Sequence, residues 1–302
     1  MRIVFLGTGG TYPSKFRNVT SIAVQMPSEV LMFDCGEGTQ RQLMFSPVSF
    51  MRIGKIFISH LHADHFLGLP GLIQSMSLNG REDELRIYGP DGMEDTVRSI
   101  LSLGYFKSGY KITAQDLAPG TTLEFDTYSV KCIEASHTVP SLAFSLEEAS
   151  RPGKFDVGKA KRLGIPEGPL YRRLQQGKPI TVEGRQIMPE EVLGSPRKGR
   201  KIVYTGDTKP SQGIVELARD ADVLIHDCTL DSSHKDLAAS FGHSTATEAA
   251  LVAKEAGVHL LFLVHLSPRY DDGEILEREA KQVFKNSKVA EELSEHIIRY
   301  RD

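Results

Sequence analysis

The sequence predicts an α/β protein in which two β-sheets pack face to face and helices cover their outer surfaces. Ten runs have the length and the apolar or alternating character of strands, and each closes on Gly, Pro or a polar residue. The early runs follow one another at hairpin spacing, whereas the later ones alternate with helix-like stretches. The chain has 302 residues, 40% hydrophobic and 25% charged, enough for one large domain with a sizeable core.

In chain order, "RIVFLG" from Arg2 is the first strand and "GTGGTY" its turn. Gly7 and Gly9 fit a GxG pattern, but Tyr12 occupies the third glycine position and no acidic ribose partner follows, which excludes dinucleotide binding. These glycines instead let the backbone approach the core or a nucleic acid. "TSIAVQM", "VLMFDCG", "IGKIFISH" and "ELRIYG" are the next strands, and "LPGLIQSMSLNG" and "GMEDTVRSILSLG" are helical. "YSVKCIEASH" and "SLAFSLE" form a further strand pair. "KIVYTGD", "DVLIHDC" and "HLLFLVHLS" then alternate with the helices "GIVELARD" and "TATEAALVAKEAG". Between these halves lies a basic insertion. From Arg151 to Lys201 there are thirteen Lys/Arg and five Asp/Glu, a charge of +8 in a chain whose total is −3, so the remainder carries −11. Its Gly- and Pro-rich text, "IPEGPLYRRLQQGKPI", reads as short elements joined by turns. Such asymmetry suits either a solvated insertion or a limb that seeks a polyanion.

Other classes are excluded by simpler observations. No apolar stretch approaches the roughly 18 residues of a membrane helix, and the N-terminus reads as a strand rather than a signal peptide. Cys35, Cys132 and Cys228 are odd in number and far apart, which suits reduced thiols and a cytoplasmic location better than disulfides or a cysteine zinc site. No repeat of solenoid period is present.

The chemistry gathers at strand ends. "KIFISH" ends on His60, "CIEASH" on His137, "IVYTGD" on Asp207 and "LFLVH" on His265, and "LMFD" places Asp34 similarly. Directly after the first of these comes "HLHADH", which packs His60, His62, Asp64 and His65 into six positions. Crowded imidazoles are costly unless something shares their lone pairs, and neutral imidazole with carboxylate suits zinc or a similar divalent ion. His60, His62 and His137 would hold one ion, and Asp64, His65 and His265 a second. Asp207, with two oxygens, would bridge them. His234, His259 and His296 lie outside every motif.

His60-Leu61-His62-Ala63-Asp64-His65 resembles the signature of the metallo-β-lactamase superfamily, and His137, Asp207 and His265 fall in the family's ligand order. "PSKFRN" (Pro13 to Asn18), "DCGEGTQRQL", "HDCT" (His226 to Thr229) and "HST" (His243 to Thr245) are similar to motifs of the ribonuclease Z family within it. Asp227 stands where the family's HEAT motif has Glu. The resemblance implies an αββα four-layer sandwich over 1–302, with residues 148–198 as an inserted flexible arm that grips tRNA. It also implies two zinc ions per chain, with Mn²⁺ a workable substitute, and a homodimer in which one subunit's arm holds the other's substrate. The implied reaction removes the 3′ trailer from precursor tRNA, leaving a 3′-hydroxyl on the tRNA and a 5′-phosphate on the trailer. Asp64 would ligate metal and orient or deprotonate the water. His243 would protonate the leaving oxygen, with Asp227 supporting it. Thr245 and Glu248 have capping-box spacing, which puts His243 at a helix N-terminus able to favour a phosphate. A small-molecule hydrolase of the same fold would share the metal ligands but need neither the basic arm nor the "PSKFRN" loop. A non-catalytic RNA-binding protein would need no open water position.

Overall fold

In the computed structural model, which describes residues 1–301, all ten strand-like runs form strands and all four helix-like stretches form helices. The first sheet contains β1 (Arg2–Gly7), β2 (Ser21–Gln25), β3 (Val30–Phe33), β4 (Ile53–Phe57), β5 (Leu85–Gly89) and β6 (Ile112–Asp116), in that spatial order. Glu295–Ile297 pairs with the free edge of β1. Pairing is antiparallel through β3 and parallel from β3 to β6. Helices α1 (Thr39–Phe45), α3 (Leu69–Leu78) and α4 (Met93–Leu101) pack on its outer face, while α2 (Ala63–Phe66) is a single turn.

The second sheet begins with β7 (Thr122–Glu124), β8 (Tyr128–Glu134) and β9 (Leu142–Glu148), joined as antiparallel neighbours. The chain then leaves the sandwich. It forms α5 (Val157–Arg162), α6 (Pro169–Gln175) and the hairpin β10 (Ile180–Val182)–β11 (Arg185–Ile187), which share a small core of Ala160, Ile165, Leu174, Ile180, Ile187 and Val192. It returns as β12 (Lys201–Tyr204), antiparallel to β9. After α7 (Gln212–Ala218) come β13 (Val223–Asp227), α8 (Lys235–Ser240), α9 (Ala246–Ala256), β14 (Leu260–Val264), α10 (Glu274–Val283) and β15 (Ser287–Val289). From β12 onward the strands are parallel, so each needs a helical crossover.

Alternation along the strands makes the layers. Ile3 and Phe5 enter the core between the sheets, whereas Val4 and Leu6 enter the core beneath the helices of the first sheet. Likewise Ile225 and Phe262 face the other sheet, and Leu224 and Leu261 face α7, α9 and α10. α9 is cut at both ends as its sequence dictates. Thr245 and Glu248 form a capping box, and Gly257 closes it in the left-handed region. Its buried face is mostly alanine, which lets it lie close on the sheet.

Two consequences of this topology position the chemistry. The ends of β1, β3, β4, β8, β12, β13 and β14 gather at one edge of the sandwich, where loop residues cross between sheets: Leu142 N–H donates to Ser59 O (2.8 Å), and Gly9 bridges Leu266. The insertion lies at the other edge, because it leaves from the end of β9 and returns at the start of β12. Its base is fastened there. The Glu148 carboxylate accepts from Arg200 Nε (2.7 Å) and Nη2 (2.6 Å), and the Tyr300 ring lies between the guanidinium groups of Arg151 (3.5 Å) and Arg200 (4.0 Å). Among the described residues no helix is long and apolar enough to cross a membrane.

Candidate metal centre

His60 follows β4, and the single turn of α2 places Asp64 and His65 beside it. His137 follows β8, Asp207 follows β12 and His265 follows β14. The structure brings all seven predicted donors together. His62 Nδ1 lies 3.0 Å from His60 Nε2 and 3.3 Å from His137 Nε2. Asp207 Oδ2 lies 3.6 Å from His60 Nε2 and 4.0 Å from His137 Nε2. On its other side the same oxygen lies 3.3 Å from His65 Nε2 and 3.2 Å from His265 Nε2. Asp64 Oδ2 completes that second group, 3.6 Å from His65 Nε2 and 3.4 Å from His265 Nε2. Each group spans no more than 4.8 Å, and either could hold an ion.

The outward nitrogens are pinned, so the inward ones are aimed. His60 Nδ1 meets Ser59 Oγ (3.0 Å), His65 Nδ1 meets Asp34 Oδ2 (2.6 Å), His137 Nδ1 meets Gly242 O (2.9 Å) and His265 Nδ1 meets Thr229 Oγ1 (2.9 Å). Such partners fix ring orientation and tautomer around a metal. His62 alone turns its Nδ1 inward. His65 Nε2 and Asp207 Oδ1 are buried with no hydrogen-bond partner among the described residues. Groups buried this way are costly unless something else satisfies them, and imidazole with carboxylate fits a zinc-like divalent cation. Burial, above all, holds His60, His62 and His137 below the ordinary imidazole range, leaving lone pairs free. Burial also opposes ionisation of Asp207, but His265, His65 and His60 around it hold its carboxyl well below the usual range.

Asp34 was visible in the sequence as a strand-end carboxylate, but not its task. It lies behind the cluster in the left-handed region (φ 57°). Its Oδ1 accepts from Ser59 N (2.6 Å), and its Oδ2 from Ser59 Oγ (2.7 Å), His65 Nδ1 (2.6 Å) and Tyr204 OH (2.5 Å). Thr229, Gly242 and Tyr204 were likewise unassigned; nothing local in sequence marks a hydroxyl or carbonyl that will meet a distant histidine. Gly7 lets the backbone approach the core closely, since a Cβ there would fall 1.8 Å from Val19 O, and a Cβ on the neighbouring Gly10 would fall 2.4 Å from His265 Cε1.

His243 and Asp227 stand beside the metal donors. Asp227 is fully buried, and its Oδ2 lies 2.9 Å from His243 Nδ1, so the aspartate reaches the imidazole despite its shorter arm. Burial works against charge on His243, but Asp227 outweighs it and raises the group to about 9. At the expected phosphate seat, the N-terminus of α9, most donors are already engaged: Thr245 N–H donates to Glu248 Oε2, Ala246 N–H to Leu230 O and Glu248 N–H to Thr245 Oγ1. His243 is presented by Asp227 instead, on the wall of a cavity of about 640 Å³ that also exposes Asp64, Asp207 and Arg269.

In the turn just before the "PSKFRN" loop, Thr11 N–H donates to Asp64 Oδ2 (2.7 Å). Arg17 turns inward, donating to Thr8 Oγ1 (2.7 Å) and Ala290 O (3.0 Å), and Asn18 binds Glu37 O (2.9 Å). Phe16 remains exposed at the tip.

The sandwich and its His/Asp edge define a protein of the metallo-β-lactamase fold. The model of the beta-lactamase superfamily domain matches residues 177–266, and that of the anti-Pycsar protein Apyc1 matches residues 1–150. The chain is 48% identical to ribonuclease Z of Methanosarcina acetivorans, covering 100% of this chain and 99% of the relative. It is 49% identical to that of Methanothermobacter thermautotrophicus, covering 97% and 95%. The crystal structure of the short form of human tRNase Z matches 99% of this chain and 100% of its own, at a TM-score of 0.74 and 30% identity. The chain belongs to the ribonuclease Z family.

Removing the Asp34 carboxylate would leave His65 Nδ1, Ser59 N–H and Tyr204 OH unpaired. Asp34→Ala should therefore weaken divalent-metal affinity by roughly 10–100-fold, the usual effect of losing such a support. Chelator-competition titration checks this; unchanged affinity would show that His65 is oriented by other contacts.

Proposed function

We propose that this chain, a metal-dependent endoribonuclease that processes tRNA 3′ ends, works with two divalent ions, zinc or alternatively Mn²⁺. His60, His62 and His137 would hold one ion and Asp64, His65 and His265 the other, with Asp207 placed to serve both. The observation that carries this is Asp207 itself: its Oδ2 lies between the two histidine groups, and its Oδ1 is buried without a partner. Bound there, such ions supply Lewis acidity, acidifying a water and neutralising charge on the phosphoryl oxygens.

The chain's own groups complete the reaction. Asp64, anchored by Thr11 N–H, orients the attacking water or takes its proton. The bond between phosphorus and the 3′-oxygen of the last tRNA nucleotide breaks, and His243 gives that oxygen its proton. Asp227 holds His243 by Nδ1 and stabilises its charged form, leaving Nε2 to face the substrate. The tRNA keeps a 3′-hydroxyl and the trailer a 5′-phosphate. Residues 148–198 serve as a tRNA-binding arm on the single sandwich domain. Their attachment at the edge opposite the metal centre supports use in trans, one subunit's arm holding the substrate of its partner in a homodimer. Three buried free cysteines suit the reducing cytoplasm.

Elemental analysis at saturating metal should find two divalent ions per chain, and Asp64→Ala should lose metal along with nearly all turnover on precursor tRNA. One ion or none in the wild type would remove the two-ion reading.

The acid assignment has its own test. A ribose 3′-oxygen needs a proton to leave, whereas p-nitrophenolate does not. His243→Ala should slow precursor cleavage by roughly 10²–10⁴ and a p-nitrophenyl phosphodiester far less. Asp227→Asn should follow in direction. Equal single-turnover losses on both substrates would make His243 a phosphate ligand instead.

Replacing residues 151–196 by a short Gly/Ser bridge should spare metal binding, since no proposed ligand lies there. Precursor affinity should fall and its salt dependence flatten, because fewer phosphates are neutralised. An unchanged salt slope would exclude the arm from tRNA binding.

A further inference from the structure

The polar side of the metal-centre cavity is matched by an apolar side that the chemistry does not use. Phe241 and Leu237, from α8 and the turn after it, line the same cavity as His243. Phe241 is 59% exposed and Leu237 38%, and neither belongs to any of the hydrophobic cores. A lone exposed aromatic is ordinary. This one stands two residues before His243, and its backbone is held on both sides.

Behind it, Phe241 N–H donates to Leu237 O (3.3 Å) and Ala238 O (3.2 Å). Ahead of it, Gly242 sits in the left-handed region (φ 77°), accepts from His137 Nδ1 through its carbonyl (2.9 Å), and has no room for a side chain: a Cβ would fall 2.7 Å from that nitrogen. His243 N–H then returns to Ala238 O (2.9 Å). The ring is thus displayed from a segment locked between a metal-donor histidine and the end of α8. A platform held in place this way costs little to order when something binds it.

We infer that Phe241, with Leu237 beside it, is the platform on which the base of the last tRNA nucleotide stacks. Metal donors and His243 account for the phosphate and the leaving oxygen, but a phosphodiester in RNA also brings a base on each side. Bases at unpaired ends are recognised on aromatic faces, and such stacking tolerates any base. The choice of side rests on the reading above: the oxygen that His243 protonates belongs to the ribose of the last tRNA nucleotide, so the base on that ribose is the one nearest the wall that carries His243. The first trailer nucleotide departs on the other side of the phosphorus. Phe241 is then a specificity-determining residue that seats one nucleotide and so sets where the chain is cut.

The test couples the ring to one base at a time. Three precursor tRNAs are needed: one intact, one abasic at the last tRNA nucleotide and one abasic at the first trailer nucleotide. On the intact precursor, Phe241→Ala should lower kcat/KM roughly ten-fold, chiefly through KM, a loss typical of removing one base–aromatic stack. Phe241→Trp should restore it. With the abasic last nucleotide, wild type and Phe241→Ala should agree within about two-fold, because the partner is already gone. With the abasic trailer nucleotide, the ten-fold gap should remain. A gap that persists on the first abasic precursor, a gap that closes only on the second, or no loss on the intact one would each overturn the inference. Metal content and Tm of the variants separate a folding defect from lost stacking. Failure of the acid assignment shows elsewhere, as equal losses of His243→Ala on tRNA and p-nitrophenyl substrates, and leaves the abasic comparison to stand or fall independently.

Discussion

The Asp34 carboxylate binds the two sheets to each other and to the metal centre at once. It follows β3; its donors are Ser59 after β4, His65 on α2, and Tyr204 at the end of β12 in the opposite sheet. A fully buried anion is tolerable only when its lone pairs are met, and here four donors meet them. The backbone at Asp34 accepts a strained conformation to place it there. Beneath it, Tyr204 packs its ring against Phe33 (5.8 Å between centroids) while its hydroxyl reaches up to the carboxylate. Phe57 and Phe144 fill the rest of that layer. Hydrophobic packing of the sandwich and orientation of His65 are therefore one constraint. A shift between the sheets would be felt directly at a metal donor.

That constraint also explains what could and could not be read from the chain. The clustered side chains are legible, since "HLHADH" is local and His137, Asp207 and His265 each end an apolar run. A run of strand length fixes where its last residue goes, and parallel-running strands bring their ends to one edge. The supports were not legible. A strand-end aspartate looks the same whether it faces the metal, as Asp207 does, or stands behind a histidine, as Asp34 does. Gly242 supports His137 through a backbone carbonyl, which leaves no mark in sequence. Arg17 lies in the "PSKFRN" loop, where nothing in the sequence shows that three oxygens, Thr8 Oγ1, Ala290 O and Asp272 O, draw it inward. Among the elements, α10 escaped notice because only Leu276 and Ala280 are buried on a helix otherwise rich in charge. The three-residue edge strands Ser287–Val289 and Glu295–Ile297 are too short to carry a pattern.

The topology separates two kinds of electrostatics. At the metal edge the protein contributes carboxylates and imidazoles that could hold a divalent cation. The +8 of the insertion sits at the far edge, anchored through Glu148, Arg200 and Tyr300, where it leaves the metal donors undisturbed. The same lysines and arginines close to Asp207 would compete with metal for its oxygens. Distance between arm and site thus follows from the charge each must carry.

Within the cluster, two neighbouring histidines are held differently by one aspartate and a single hydroxyl. Thr229 Oγ1 donates its proton to Asp227 Oδ1 (2.8 Å), so it can only accept from His265 Nδ1 (2.9 Å). His265 therefore donates from Nδ1 and turns its Nε2 toward Asp207 and Asp64, the orientation a metal donor requires. The other oxygen of Asp227 meets His243 Nδ1 directly, with no hydroxyl between, and there the carboxylate favours the charged ring. The same aspartate thus reaches His265 through Thr229 and His243 by direct contact, although the two rings lie only 5.0 Å apart. The short segment from Asp227 to Thr229 does this with two side chains, because β13 delivers both at the edge where β14 delivers His265.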